Sequence, residues 1–153
     1  MIMRDVSLLF INPGGTRIDG FDHEKFDEYI RTSDHYLINA KKMDKKGDVR
    51  KASELLWGSI ALLIKAIGLL YDKPVDSHKE LLDMARSVAF FEKDSRLERE
   101  FFEYIRPLHV NYYENLIDPR DFDRYKDAFN HVHDKLLRII KREFNRRSRT
   151  SVG

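Results

Sequence analysis

From Phe21 onward apolar residues recur every three or four positions, the spacing that gathers them on one face of an α-helix. Phe26, Tyr29, Ile30, Ser33, Leu37, Ala40 and Met43 form the first such stripe, which ends at Gly47. Asp48 then caps a second helix through its side-chain oxygen, with Ala52, Leu55, Leu56, Ile60, Leu63, Ile64, Ile67 and Leu70 in line. That helix is apolar over most of its circumference, so it belongs at the centre of the domain. Lys73-Pro74-Val75 ends it, and Asp76 or Ser77 caps a third helix whose Leu81, Met84, Ala85, Val88 and Phe91 face inward. The fourth runs from about Ser95 to Ile117 on the stripe Leu97, Phe101, Tyr104, Ile105, Leu108, Tyr112 and Leu116. Asp118-Pro119, a cap followed by proline at the first helical position, starts the fifth. It keeps Phe122, Tyr125, Phe129, Val132, Leu136, Ile139, Ile140 and Phe144 on one face.

Amphipathic helices joined by such short turns pack antiparallel to their neighbours. The expected fold is all-α, a five-helix up-and-down bundle over residues 22–145. Residues 1–21 follow no such pattern. Ser7–Ile11 fits a short strand and Asn12-Pro13-Gly14-Gly15 a turn, but no second strand is available to pair, so an irregular, non-helical arm is expected, free or docked on another copy. Residues 146–153 read as a basic tail without periodicity.

Composition narrows the field without naming a function. The 153 residues are 42% apolar and 35% charged, which excludes a disordered chain. The absence of cysteine removes disulfides, thiolate zinc sites and a cysteine nucleophile. The start carries an acid and too short an apolar run for a secretory signal. Leu55–Leu70, interrupted by Lys65, falls short of the ~20 residues that cross a bilayer. A cytoplasmic, soluble protein with no membrane partner is expected.

Net charge is only +2, but basic residues cluster. Lys135–Gly153 holds seven of them against Glu143, and Lys41–Lys51 is also rich in lysine. At one end of the bundle these stretches would form a patch for phosphates; apart, they complement helix dipoles and aid solubility.

Candidate chemistry concentrates in Arg106-Pro107-Leu108-His109-Val110-Asn111-Tyr112-Tyr113-Glu114. Pro107 inside a helix clashes with the carbonyl of Glu103 and removes a hydrogen bond, a cost of about 3 kcal/mol. A kink is expected, with a main-chain carbonyl freed beside it. Arg106, His109 and Tyr113 share one helix face, where cation, imidazole and phenol could hold a phosphate and His109 could act as acid or base. A histidine beside an apolar stripe serves equally well as a hydrogen-bonded boundary residue. His78, at the start of the third helix, could share a pocket with His109 or simply decorate that start. His131 and His133, two apart on a helix, diverge and make no metal pair. The acids of Asp22–Glu28 and Glu98–Glu103 belong to solvated faces. Neither a metal nor a cofactor is expected.

Lys51-Ala52-Ser53-Glu54-Leu55-Leu56-Trp57-Gly58-Ser59, preceded by Lys46-Gly47-Asp48, resembles the opening signature of the archaeal PaREP family. Leu108-His109-Val110-Asn111-Tyr112-Tyr113-Glu114 resembles its second signature, and Ser77-His78-Lys79-Glu80-Leu81 is similar too. The likeness spans about residues 22–145. That family is similar to the HEPN superfamily of helical bundles, which implies a homodimer, a nucleotide or RNA ligand, and for some members a nucleotidyltransferase partner protein. Other members are metal-independent ribonucleases whose arginine and histidine stand further apart than Arg106 and His109, which only two residues separate. The leading expectation is a non-enzymatic dimeric module that binds a nucleotide, RNA or a partner protein through His78, Arg106, His109, Asn111, Tyr113 and Glu114. A ribonuclease using Arg106 and His109 is the enzymatic alternative. The third is a purely structural bundle in which the second signature is a buried polar network.

Overall fold

The computed structural model describes residues 20–152, with side chains through Arg149. The arm and strand expected before Gly20 lie outside the described residues. α1 (His23–Lys45) and α2 (Val49–Leu70) form an antiparallel pair, followed by the shorter α3 (His78–Phe91). A fourth rod is built of α4 (Ser95–Glu100), a π-helical turn (Phe101–Ile105) and α5 (Arg106–Glu114). A 3-10 turn, Pro119–Asp121, then leads into α6 (Phe122–Val152). No strand occurs among the described residues. The result is the expected all-α up-and-down bundle of five rods.

α2 touches α1, α3, α5 and α6. Ile60, Leu63, Ile64, Ala66 and Ile67 are fully buried in it, each isoleucine or leucine stabilising the fold by about 1.5–3 kcal/mol. By length and composition alone α2 could span a bilayer, yet most of that stretch is buried inside the bundle. Ser33 on α1 donates to the Ser59 carbonyl of α2 at 2.8 Å, which satisfies a buried hydroxyl where the two helices meet.

The turns are cut short by left-handed residues. α1, α2 and α3 each end with a 6→1 hydrogen bond, from Asp48 to Met43, Lys73 to Gly68 and Asp94 to Ala89. The residues just before these donors, Gly47, Asp72 and Lys93, have positive φ. The starts are capped by Asp22, Asp48, Ser77 and Asp94, each side chain accepting from a backbone N–H three residues on.

Pro107 does disturb the helix it sits in. The helix widens just before it into a π-turn, and the N–H of Arg106 reaches back to the carbonyl of Phe101. Pro107 thereby enters a fresh α-helical start, where it owes no donor. A π-turn takes up one residue more than an α-turn, which rotates the downstream face by about 100°. α4 and the π-turn accordingly rest on α3 and α6, whereas α5 rests on α2. The inward positions of α5 are Leu108 and Asn111. Tyr112 and Leu116, expected in the core stripe, are exposed.

Three further expectations are corrected. Phe91, the last residue of α3, is 61% exposed and keeps an edge contact to the Tyr71 ring and a neighbouring one to Phe90. Glu100 is not on a solvated face: it is 6% exposed, with Arg96 Nε at 2.6 Å and His131 Nδ1 at 3.0 Å. The residues after Phe144 continue α6 as helix rather than forming a tail. Arg147 there bonds the Leu70 carbonyl at 3.2 Å and Asp72 at 3.1 Å, and lies over the Phe21 ring.

The basic stretches do not meet. Lys126 near the start of α6 lies 2.8 Å from Asp44 near the end of α1, whereas Phe144 stacks on Phe26 at the other end. α6 therefore runs antiparallel to α1, and Lys41–Lys51 and the C-terminal arginines occupy opposite ends.

Candidate functional site

Three helices bring their rings to one place. Trp57 of α2 is buried and serves as a floor. The His109 imidazole of α5 stacks on it with centroids 5.1 Å apart and planes 24° from parallel. His78 of α3 comes within 5.9 Å of Trp57 and 6.0 Å of His109. Tyr113, one turn after His109, sets its ring edge-on at 5.5 Å. The expected approach of His78 to His109 is thus present, at the bundle surface, and neither residue lines the cavities of about 590 and 410 Å³ found elsewhere.

Local sequence explains the placement. Ser77 and Glu80 form a reciprocal cap: the Glu80 N–H donates to Ser77 Oγ at 3.1 Å, and Ser77 Oγ donates to Glu80 Oε1 at 3.0 Å. This fixes the first turn of α3, where His78 is the first helical residue and the helix dipole favours anions. His109 is held by a residue the sequence reading did not single out. Its Nδ1 lies 2.8 Å from Glu54 Oε2, with about a third of each side chain exposed. An ionised carboxylate only accepts, so Nδ1 donates and Nε2 keeps its lone pair for a ligand or a proton.

Asn111 does not belong with these ligand candidates. It is fully buried, donates from Nδ2 to Ser53 Oγ at 3.2 Å, and accepts the Ile117 N–H at 2.7 Å. Ser53 Oγ in turn donates to the Val49 carbonyl at 2.7 Å. The amide is spent on locking α5 to α2. Arg50 adds to this lock by donating to the carbonyls of Tyr112 and Tyr113 at the end of α5.

Arg106 is exposed three residues before His109, and no hydrogen bond or ion pair holds it among the described residues. Glu114 is exposed at the last residue of α5. No group of three or more His, Cys, Asp or Glu among the described residues is arranged to hold a metal ion. The cluster can therefore offer an oriented imidazole, a second imidazole from another helix, an exposed guanidinium and exposed aromatic faces.

Glu54 and Trp57 were legible only as members of the run Lys51–Ser59. Nothing in their spacing foretold a partner 55 residues away. No curated protein and no solved structure matches the chain. Residues 28–133, which contain the histidine pair, Glu54, Trp57 and the Ser53–Asn111 lock, match one family throughout, and the chain belongs to the archaeal PaREP1/PaREP8 family.

Proposed function

We propose that this protein is a binding module for the phosphate and base of a nucleotide or a single-stranded RNA. The observation that carries the reading is the pair of imidazoles, His78 and His109, 6.0 Å apart on the same tryptophan floor at the protein surface. Arg106 and the first turn of α3, which carries His78, suit phosphate oxygens, while the bare Nε2 of His109 accepts a hydrogen bond from a ribose hydroxyl or a base N–H. Tyr113, 65% exposed, offers a face on which a base can stack for about 1–3 kcal/mol. Exposed Tyr112 and Leu116 next to it support action as a homodimer, which light scattering behind size exclusion measures.

Titration with mononucleotides, dinucleotides and a short oligoribonucleotide at fixed salt tests the reading. Saturable binding that drops at least tenfold in His109→Ala and in Arg106→Ala is expected. Absence of binding, or unchanged affinity in both variants, overturns it.

The Glu54–His109 hydrogen bond favours a second reading, a metal-independent ribonuclease. An imidazole whose Nδ1–H is held by a carboxylate presents Nε2 as a general base, and Arg106 would stabilise charge on the phosphorus-centred transition state. Incubation of concentrated protein with RNA in EDTA decides it: intact RNA after long exposure eliminates the enzyme.

A further inference from the structure

On the opposite side of α2 from the histidine cluster, α1, α2 and α6 enclose a recess of about 410 Å³. That volume lies in the range of about 300–1,000 Å³ typical of small-molecule sites. Its floor is apolar, made by Leu37 of α1, Leu56 of α2 and Phe122 and Phe129 of α6. Its polar lining is dominated by cations: Lys41, Lys45 and Lys126 against a single acid, Asp44.

The lysines are not equivalent. Lys126 is matched already, 2.8 Å from Asp44 and 3.0 Å from Asp123, with its ammonium over the Phe122 ring. Lys41 is matched by nothing. Its Nζ is buried without a hydrogen bond among the described residues, and no carboxylate stands within ion-pair distance. The charge of Lys41 also reaches His133, whose pKa is depressed chiefly by burial and further by that neighbouring cation. An ammonium without a hydrogen-bond partner or counter-charge gains from an anion brought beside it. A lysine carries its charge on a flexible four-carbon stem, and Lys41 lines the recess, so a headgroup bound there is next to the residue that bears the unmatched charge.

We propose that this recess is a binding site for a small amphipathic anion, an apolar chain or ring bearing one carboxylate or phosphate group. The apolar body covers Leu37, Leu56 and the two phenylalanines, displacing water that such a floor hydrates poorly, and the headgroup becomes the counter-charge of Lys41. Lys45, exposed at the rim and bound to nothing among the described residues, adds long-range attraction for the same sign. The site is independent of the histidine cluster, and its failure would leave the nucleotide reading untouched.

The test follows methyl resonances of Leu37, Ala52 and Leu56 during titration with octanoate, phenyl phosphate and inorganic phosphate. Octanoate, phenyl phosphate or both shift these signals saturably, and the stronger of the two assigns the headgroup. Inorganic phosphate, which lacks an apolar body, leaves them in place. Lys41→Met binds at least tenfold more weakly, and without ligand it melts no lower than the wild type, because it removes an unpaired buried charge and keeps the stem. Lys41→Gln, with a polar but neutral end, shows the same loss if the methionine variant folds poorly. No saturable shift up to millimolar octanoate and phenyl phosphate, undiminished binding by both variants, or equal binding of inorganic phosphate overturns the proposal.

Discussion

Nδ1 of His109 lies 2.8 Å from Oε2 of Glu54, a contact between α5 and α2 that spans 55 residues of chain. The bond selects one tautomer, with the proton on Nδ1 and Nε2 bare. Nitrogen chemical shifts of His109 in the neutral ring are expected to report that tautomer in the wild type. In Glu54→Ala the other tautomer, favoured in free imidazole side chains, gains population while the fold persists. Binding of the oligoribonucleotide should fall about tenfold, which corresponds to about 1.4 kcal/mol. A tautomer signature unchanged by the substitution would show that the carboxylate does not orient the ring.

Asn111 holds a buried junction from both ends of its amide. Asn111→Ala leaves Ser53 Oγ without its donor and strands the buried Ile117 N–H. A loss of about 1–3 kcal/mol is expected for each buried group left unpaired, seen as a drop in the denaturant midpoint. Ser53→Ala should cost less, since Asn111 keeps its bond to Ile117. The double variant should cost less than the sum of the two, because both substitutions remove the same bond.

Two glycines of α2 should respond oppositely to alanine. A Cβ on Gly68 would stand 2.6 Å from the Lys73 carbonyl oxygen, part of the backbone that folds back over the end of α2. That oxygen cannot withdraw without breaking the turn, so Gly68→Ala is expected to destabilise by about 1–3 kcal/mol. A Cβ on Gly58 would meet the Tyr36 ring at 2.8 Å. A half-buried side chain can swing aside, and alanine gains about 0.5–1 kcal/mol of helix propensity. Gly58→Ala should therefore be close to neutral in urea denaturation.

His133 is stacked on Phe129, and burial holds its pKa below the ordinary 6.5, only partly countered by Asp134. The unfolded chain then binds a proton that the folded chain resists. Its contribution to stability is complete above pH 6.5 and declines as pH falls through that value toward the depressed folded pKa. His133→Phe should flatten the stability profile between pH 7 and 5, measured by urea midpoints at each pH. A second decline is expected as pH falls below 4.5 toward the depressed pKa of Glu92, which the hydrogen bond from Arg142 lowers, because the unfolded chain then takes up a proton that the folded carboxylate resists. Glu92→Gln should remove that lower limb and leave the upper one.

The five rods, their caps at Asp48 and Ser77 and the central place of α2 were legible because each depends on local sequence: a period of 3.6, a capping oxygen, a breaker. The fourth rod was legible only in part. α-Helical spacing assigned Tyr112 and Leu116 inward, and Pro107 signalled a disturbance but not that a π-turn would carry it. The bundle resolved it with a π-turn, because α4 must face α3 and α6 while α5 must face α2, and one added residue supplies the rotation.

Sequence alone also put His78, His109, Arg106 and Tyr113 forward as candidates, because unusual chemistry beside a helix-interior proline is visible in one dimension. Which of those groups meet was a tertiary decision. Glu54, Trp57 and His109 come from helices distant in the chain, and Ser53 joins Asn111 on the same seam. Helical periodicity states which side of a rod is apolar but not the rotation and depth at which two rods engage. Those follow from packing all the side chains at once, and so the orienting carboxylate, the burial of Asn111 and the unpaired ammonium of Lys41 emerge only when the helices are in place.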